Sequence, residues 1–108
     1  MEIARGSTFD FTITLPEEYD ISDAQVIWIT FSQGDVEKFT KGLDDPDVTV
    51  AGNAIRVHLT QDDTLSLYDG QAQMQVRILT AADEALVQEP IMNIEVLKIL
   101  KDGKIADE

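Results

Sequence analysis

The residue types that most often perform metal or nucleophilic chemistry are scarce in this chain, which has one histidine and no cysteine. His58 alone cannot supply the nitrogen and sulfur ligands of a zinc site. A Ser-His-Asp triad would need His58 as its base, but residues 54–60 alternate so that His58 lies on the polar face of a strand. None of the four serines stands in the G-x-S-x-G motif of a nucleophile elbow. We therefore expect a surface histidine, no zinc and no catalytic residue.

Carboxylates are plentiful, and Asp44, Asp45 and Asp47 crowd one loop. Calcium takes oxygen ligands from loops of this kind, but the D-x-D-x-D-G-x₅-E spacing is not present. A turn-forming, solubilising loop is the preferred interpretation, and calcium is the alternative. No carboxylate pair is set apart for glycoside hydrolysis. Trp28 has the ring to stack on a sugar, yet its place in an apolar strand predicts the core. The sequence predicts neither an enzyme nor a cofactor.

The net charge limits the classes of molecule that this chain is expected to bind. Eight Lys and Arg against 21 Asp and Glu give a formal net charge of −13. This charge repels phosphate backbones and anionic lipid headgroups, so we expect neither nucleic acid nor a membrane as a partner. The chain has no apolar run of about 18 residues that could span a bilayer and no signal-like apolar stretch at its start. The lack of cysteine fits synthesis in a reducing cytoplasm.

Short strands are the elements that must position these side chains. Residues 70–80 alternate apolar and polar side chains, which is typical of a strand with one buried face. Residues 8–15 alternate in the same way. Turn signals such as Gly52-Asn53 separate the remaining strands. These are predicted at residues 24–33, 36–40, 48–51, 54–60, 85–89 and 91–100.

One short helix is predicted at residues 61–68. Thr60 and Asp63 resemble a capping box with Asp in place of Glu, and acidic residues favour a helix N-terminus. Leu65 and Tyr68 would point inward. Pro90 cannot donate to a sheet ladder, so it should lie at a sheet edge or a bulge.

Many short strands and one short helix predict an all-β fold, an antiparallel two-sheet sandwich with an immunoglobulin-like strand order. Residues 8–15 would be strand B, Trp28 would lie on strand C, the helix would fill the E–F connection, and Asp69-Gly70 would open strand F. The disulfide of antibody domains is absent. Residues 1–100 form a single domain, and residues 101–108 form a charged tail. The predicted core is Phe9, Phe11, Ile13, Trp28, Ile55, Val57, Leu59, Met74, Val76 and Ile78.

Three segments carry a family resemblance: the opening RGSTFDFTITLPEEYDISDAQVIWITFSQ, the middle VTVAGNAIRVHLTQDDTLSLYDGQAQMQVRIL and the close VLKILKDGKI. Their most specific parts are L-T-Q-x-x-T-L at residues 59–65 and G-x-x-x-x-Q-V-R at residues 70–77. The chain resembles small uncharacterised proteins encoded in phages and prophages of Gram-positive bacteria, near tail and baseplate genes. It is more distantly similar to the immunoglobulin-like N-terminal domain of phage upper-baseplate proteins.

This resemblance implies a non-enzymatic structural or accessory module of the tail or baseplate region. Its partners would be phage structural proteins, and its locations the host cytoplasm during synthesis and the virion. The matching motifs are structural, so they carry over no functional residues. The alternative is a small β-sandwich that binds carbohydrate or the host surface.

An apolar excess predicts where such contacts occur. Residues 24–33 are apolar on both faces, but only one face of a strand in a two-layer sandwich sees the core. Either Val26 and Trp28 or the opposite parity must therefore find other cover. Residues 91–100 show a similar excess, and adjoining surpluses would form an exposed patch typical of interaction surfaces. We expect self-association as a homo-oligomer, or docking on a phage partner, through Ile27, Ile29, Phe31, Leu97 and Ile99.

Overall fold

The computed structural model describes residues 1–16, 18–19, 21–87 and 91–105, and these residues form a two-sheet β-sandwich. The larger sheet has the strand order β1-β9-β7-β3-β4, with β8 paired to the end of β7, and the smaller sheet has the order β2-β6-β5. The all-β fold class is therefore confirmed. The elements are β1 (Glu2–Ala4), β2 (Phe9–Thr14), β3 (Val26–Gln33), β4 (Val36–Gly42), β5 (Val48–Ala51), β6 (Ala54–Leu59), α1 (Gln61–Leu65), β7 (Gly70–Leu79), β8 (Ala85–Val87) and β9 (Met92–Leu97).

The strand order is that of an immunoglobulin-like sandwich. In its lettering, β2-β6-β5 corresponds to B-E-D and β9-β7-β3-β4 to G-F-C-C′. The helix lies in the E–F connection and β7 begins at Gly70, as the sequence predicted. The pairing of β1 was not predicted. β1 runs parallel to β9, with Glu2 opposite Glu95, so the larger sheet is not wholly antiparallel.

The core lies between the two sheets and contains side chains from both. Phe11 of β2 meets Phe31 of β3 edge to face, with the ring centroids 6.4 Å apart. Phe9, Phe11 and Ile13 pack against this core but stay half-buried, because β2 is an edge strand. The predicted core residues that are buried are Ile55, Val57, Leu59, Met74, Val76 and Ile78.

On β3 the predicted faces are reversed. Three residues expected at an exposed interface are each 0% exposed in the core: Ile27, Ile29 and Phe31. Val26 and Trp28 face outward instead, 36% and 49% exposed. The reason is that the strand face with Val26 and Trp28 also contains Thr30 and Ser32. Because these two residues are polar, that face turns to solvent. The placement of Trp28 in the core is therefore wrong, and the outer face of β3 belongs to Trp28 and Val26.

The capping box of α1 is confirmed. The Asp63 amide donates to Thr60 Oγ1 at 3.2 Å, and the Thr60 amide donates to Asp63 Oδ2 at 2.8 Å. The helix ends at Leu65, earlier than predicted, where the Ser66 amide donates to the Asp62 carbonyl. Tyr68 does not point inward, because it is 65% exposed; the buried apolar side chain after the helix is Leu67.

The segment after β9 runs beside α1. Gln61 Nε2 donates to the Ile105 carbonyl at 2.9 Å, and the Ile105 amide donates back to Gln61 Oε1 at 2.8 Å. Arg5 and Asp102 form an ion pair at 3.0 Å. The interpretation of Pro90 falls outside the described residues. Within the described ranges, no helix has the length and apolar character needed to cross a membrane.

Candidate interaction surface

Three neighbouring strands of the larger sheet place an apolar patch on its outer face. In register, Trp28 of β3 lies beside Arg77 of β7, which lies beside Val87 of β8. One step along the strands, Val26, Leu79 and Ala85 form a second cross-strand row. Side chains that share a face and a register contact one another, so the two rows make one surface. We call it the Trp28 surface: Val26, Trp28, Arg77, Leu79, Ala85 and Val87.

Trp28 and Arg77 form the centre of this surface. The Arg77 guanidinium lies over the indole ring, 5.5 Å from its centroid. A cation held over an aromatic face is attracted by the ring quadrupole, which orders both side chains before any partner arrives. Since Trp28 is 49% exposed and Val87 is 47% exposed, much of this surface contacts water in the isolated chain.

Two hollows flank the Trp28 ring. One has a volume of about 260 Å³ and is lined by the residues of the Trp28 surface other than Val87, together with Ile78 and Leu86. The other has a volume of about 330 Å³ and lies toward the loop after β4. Its lining there is Gly42, Leu43, Asp44 and Asp45. A protruding indole between an apolar hollow and an acid-rimmed hollow suits aliphatic or basic side chains of a protein partner.

The acidic loop itself is engaged within the chain. Asp47 accepts a hydrogen bond from Lys41 Nζ at 2.9 Å, and Asp45 Oδ1 accepts one from the Asp47 amide at 3.0 Å. The described residues contain no group of three or more His, Cys, Asp or Glu side chains arranged to hold a metal ion. In this geometry the loop supports the turn-forming interpretation better than the calcium alternative.

Lys41 is buried and lies at the centre of an ionic cluster with two partly buried carboxylates. Its ammonium contacts Asp63 at 2.6 Å and Asp47 at 2.9 Å, which joins β4, α1 and the loop before β5. Burial alone would lower the pKa of Lys41, but the hydrogen bonds to Asp63 and Asp47 outweigh it and raise that pKa above its usual 10.5. Burial alone would raise the pKa of Asp63, but its bonds with Lys41 and the Thr60 amide hold that pKa below its usual 3.8.

His58 and two of the serines, Ser7 and Ser66, make local contacts. His58 lies on the outer face of the smaller sheet, where its Nδ1 is 2.5 Å from Asp10 Oδ1. The Ser7 hydroxyl donates to the Ala4 carbonyl and the Ser66 hydroxyl to the Asp63 carbonyl. Both hydroxyls therefore donate to backbone carbonyls three residues earlier in the chain.

The remaining predicted interface residues lie far from the Trp28 surface. Leu97 ends β9 and is 38% exposed, at the level where β9 pairs with Gly70 at the start of β7. Arg77 lies seven residues further along β7, which is roughly 23 Å at the rise of a strand. Ile99 is half-buried against Gly6. The two apolar surpluses therefore do not adjoin, and the single patch expected from the sequence is wrong.

The chain has a distant neighbour among solved structures. No protein-family model matches the sequence, and no curated protein matches it. The chain is similar to the extracellular domain of the voltage-gated sodium channel β4 subunit, with 12% identity and a TM-score of 0.44. The match covers 100% of this chain and 90% of that one, which forms parallel homodimers and acts in cell–cell adhesion.

The sequence contained a signal for the Trp28 surface. On β3 the parity of Ile27 stays apolar until Gln33, the last residue of the strand, whereas the parity of Trp28 has two polar residues, Thr30 and Ser32. Arg77 stands among the glutamines on the polar side of the alternation in residues 70–80. Counting each parity to the end of the strand would have placed both side chains outward.

Proposed function

We propose that this chain is a non-enzymatic module that acts through protein contacts at the Trp28 surface. The observation that carries the proposal is the half-exposed indole of Trp28, held by Arg77 and bordered by exposed Val87. Tryptophan and arginine are, with tyrosine, the side chains most enriched at the energetic centres of protein interfaces. Tryptophan buries a large rigid area with two rotatable bonds, and arginine offers several donors on one planar group.

The biological setting that we propose is the tail or baseplate region of a phage or prophage, where the chain would be a structural or accessory component. This part rests on the sequence resemblance of residues 59–65 and 70–77. The partner would be a phage structural protein that presents apolar and basic side chains, since the rim near Asp44 and Asp45 is acidic.

Native mass spectrometry with the products of neighbouring genes tests the proposal. We expect a complex with at least one of them, and we expect Trp28→Ser to weaken it by roughly a hundredfold, as for the loss of a central interface residue. The matched control is Tyr68→Ser, because Tyr68 is also an exposed aromatic ring with a cation above it, Lys38 at 4.7 Å. Equal losses from both substitutions, or no complex with any neighbouring product, would contradict the proposal.

The exposed indole also favours the alternative function, carbohydrate or host-surface binding. A sugar ring stacks on an aromatic face, and Trp28 lies beside a hollow of about 260 Å³. Arg77 already covers one face of the ring, which leaves less room for stacking than an open indole would. Binding on a glycan array that Trp28→Ser abolishes and Tyr68→Ser does not would establish this alternative in place of the first.

A further inference from the structure

The outer edge of β2 is an unprotected strand edge. β2 is a terminal strand of the smaller sheet, and among the described residues its pairing partner is β6. Exposed edges attract further strands unless proline, lysine, a bulge or an inward charge blocks them. The sequence of β2, FDFTIT, has no proline or lysine, its one charged residue, Asp10, is paired with His58 of β6, and its register with β6 is continuous.

The edge at β4 shows what protection looks like in the same molecule. The pairing of β3 with β4 has a register shift between Phe31 and Ser32, and Lys41 of β4 points inward. β5 is four residues long, and β1 and β8 are three each. β2, with six residues, is the long terminal strand without such a device.

The hydrogen bonds of the sheet show which backbone groups β2 offers. The Leu15 amide donates to the Asn53 carbonyl at 2.8 Å, and the His58 amide points the other way, to the Asp47 carbonyl at 2.9 Å. Hydrogen-bonded pairs alternate along an antiparallel ladder, so residues of the same parity as Leu15 bond to β6. The amides and carbonyls of the opposite parity therefore point to the open edge: Asp10, Thr12 and Thr14.

This edge is complementary to itself. In an antiparallel pair centred on Thr12, Thr12 lies opposite Thr12 of a second copy and Asp10 lies opposite Thr14. Threonine pairs across strands are favourable, and this register opposes no like charges. The two Asp10 residues are four positions apart along the strands, roughly 13 Å, which exceeds the screening length of about 8 Å at physiological salt.

The inner face of the same register matches apolar side chains. Phe11 would lie opposite Ile13 and Phe9 opposite Leu15, and all four are only half-buried in the single chain. A hollow of about 370 Å³ opens beside Leu15, lined by Ile13, Leu15 and Tyr19 on one side and by Val76, Leu86 and others on the opposite side. The register brings Phe9 of the second copy to its mouth.

We infer that β2 pairs with β2 of a second copy, which joins two smaller sheets into one six-stranded sheet across a two-fold axis at Thr12. The hollow beside this interface and the Trp28 surface share Val87, but the paired edge of β2 contains no residue of that surface, so the dimer is tested independently of the proposed function. Trp28→Ser should leave the dimer intact.

Sedimentation equilibrium tests the dimer and its register. Thr12 is exposed, and at the axis Thr12→Lys sets two positive charges against each other and Thr12→Glu two negative ones. Each variant should form a dimer roughly tenfold or more weaker than the wild-type dimer. An equimolar mixture of Thr12→Lys and Thr12→Glu should form a heterodimer, because their charges are opposite. The matched controls are Thr49→Lys and Thr49→Glu, because Thr49 is exposed on β5, the opposite terminal strand of the same sheet. A 12.0 kDa monomer at several hundred micromolar, or a dimer that tolerates Thr12→Lys, would overturn the inference.

Cross-linking gives a second readout that does not depend on affinity. Hydrogen-bonded partners across antiparallel strands have Cα atoms about 5.5 Å apart, which suits a disulfide. Because the chain has no cysteine, Thr12→Cys introduces a single thiol. Mild oxidation should convert Thr12→Cys to a covalent dimer and leave Thr49→Cys monomeric. Equal cross-linking of the two variants would overturn the register.

Discussion

The two lateral sides of the sandwich are closed in different ways. On one side, where β4 and β5 are the terminal strands, Lys41 joins the sheets and α1 through Asp47 and Asp63. On the other side, where β2 and β8 lie, the sheets part around an apolar hollow of about 370 Å³. We call these the ionic side and the open side.

The difference shows what each kind of closure does. An ionic closure is specific to its own partners, because a buried charge that loses one of them is costly, and it leaves nothing for another molecule to bind. An apolar gap beside an unpaired strand edge is less demanding, since any well-shaped apolar group fills it. The ionic side therefore fixes the fold, and the open side is available for association.

Removal of the central charge should have the largest effect on the ionic side. Lys41→Ala leaves Asp63 and Asp47 without their cation, and we expect a loss of about 3 kcal/mol in the free energy of unfolding. Urea denaturation measures it, with Lys38→Ala on the same strand as the control. A loss no larger than the control's would mean that the ionic side is closed by its apolar contacts alone.

Removal of an apolar side chain on the open side should cost less. Leu86 of β8 is half-buried beside the hollow, so Leu86→Ala deletes contacts that are already incomplete, and we expect a loss of about 1 kcal/mol. The same urea experiment on Leu59→Ala, a residue that is 0% exposed, should show a loss of about 3 kcal/mol. Equal losses would show that the open side packs as tightly as the core.

Acid should weaken the ionic side selectively. The pKa of Asp63 is lower in the folded chain than its usual 3.8, so its stabilising contribution is complete above that value and is lost as the pH falls through the folded pKa. Lys41 has a raised pKa, so its contribution is complete below 10.5 and is lost only as the pH rises beyond that value.

Urea denaturation between about pH 5 and pH 2 compares the wild type with Asp63→Asn, which keeps the helix cap. We expect the variant to be less stable at pH 5 and its deficit to shrink toward pH 2. A deficit that stays constant across this range would show that the Asp63 carboxylate does not carry the effect.

Calcium should have the smallest effect. Asp47 is bound to Lys41 and Asp45 to the Asp47 amide, so the acidic loop should not gain stability from the ion. Differential scanning fluorimetry with millimolar calcium should change the melting temperature by less than about 1 °C. A rise of more than about 5 °C that chelator reverses and Asp45→Asn abolishes would show that the loop is a metal site.

Local pattern was sufficient for most of the fold. The alternation along β2 and β7 and the Gly52-Asn53 turn placed their strands within a residue or so. The capping box at Thr60 placed the start of α1. These features depend on neighbours in sequence, which period and turn chemistry describe well. The pairing of β1 with β9 could not be predicted in this way, because it joins residues as distant in sequence as Ile3 and Val96. The pattern of a three-residue strand does not indicate which distant strand it pairs with.

The candidate surface was harder to predict because it depends on which parity turns inward. Trp28 was predicted in the core because a large aromatic ring stood in an apolar strand. The structure turns that parity outward, where Arg77 of the neighbouring strand covers part of the ring. A cation on the partner strand makes an exposed indole acceptable, and that partnership exists only once the strand order is known.

The parallel pairing of β1 and β9 has a mechanical consequence. Because the two strands run in the same direction, the chain enters β1 at one end of the pair and leaves β9 at the opposite end. A pull applied to the two ends of the chain therefore slides β1 along β9 and loads their hydrogen bonds together, in shear. In an antiparallel pair at the same place, the same pull would break the backbone hydrogen bonds one after another. Three paired residues thus give the sandwich a resistance to stretching that its thermal stability does not measure.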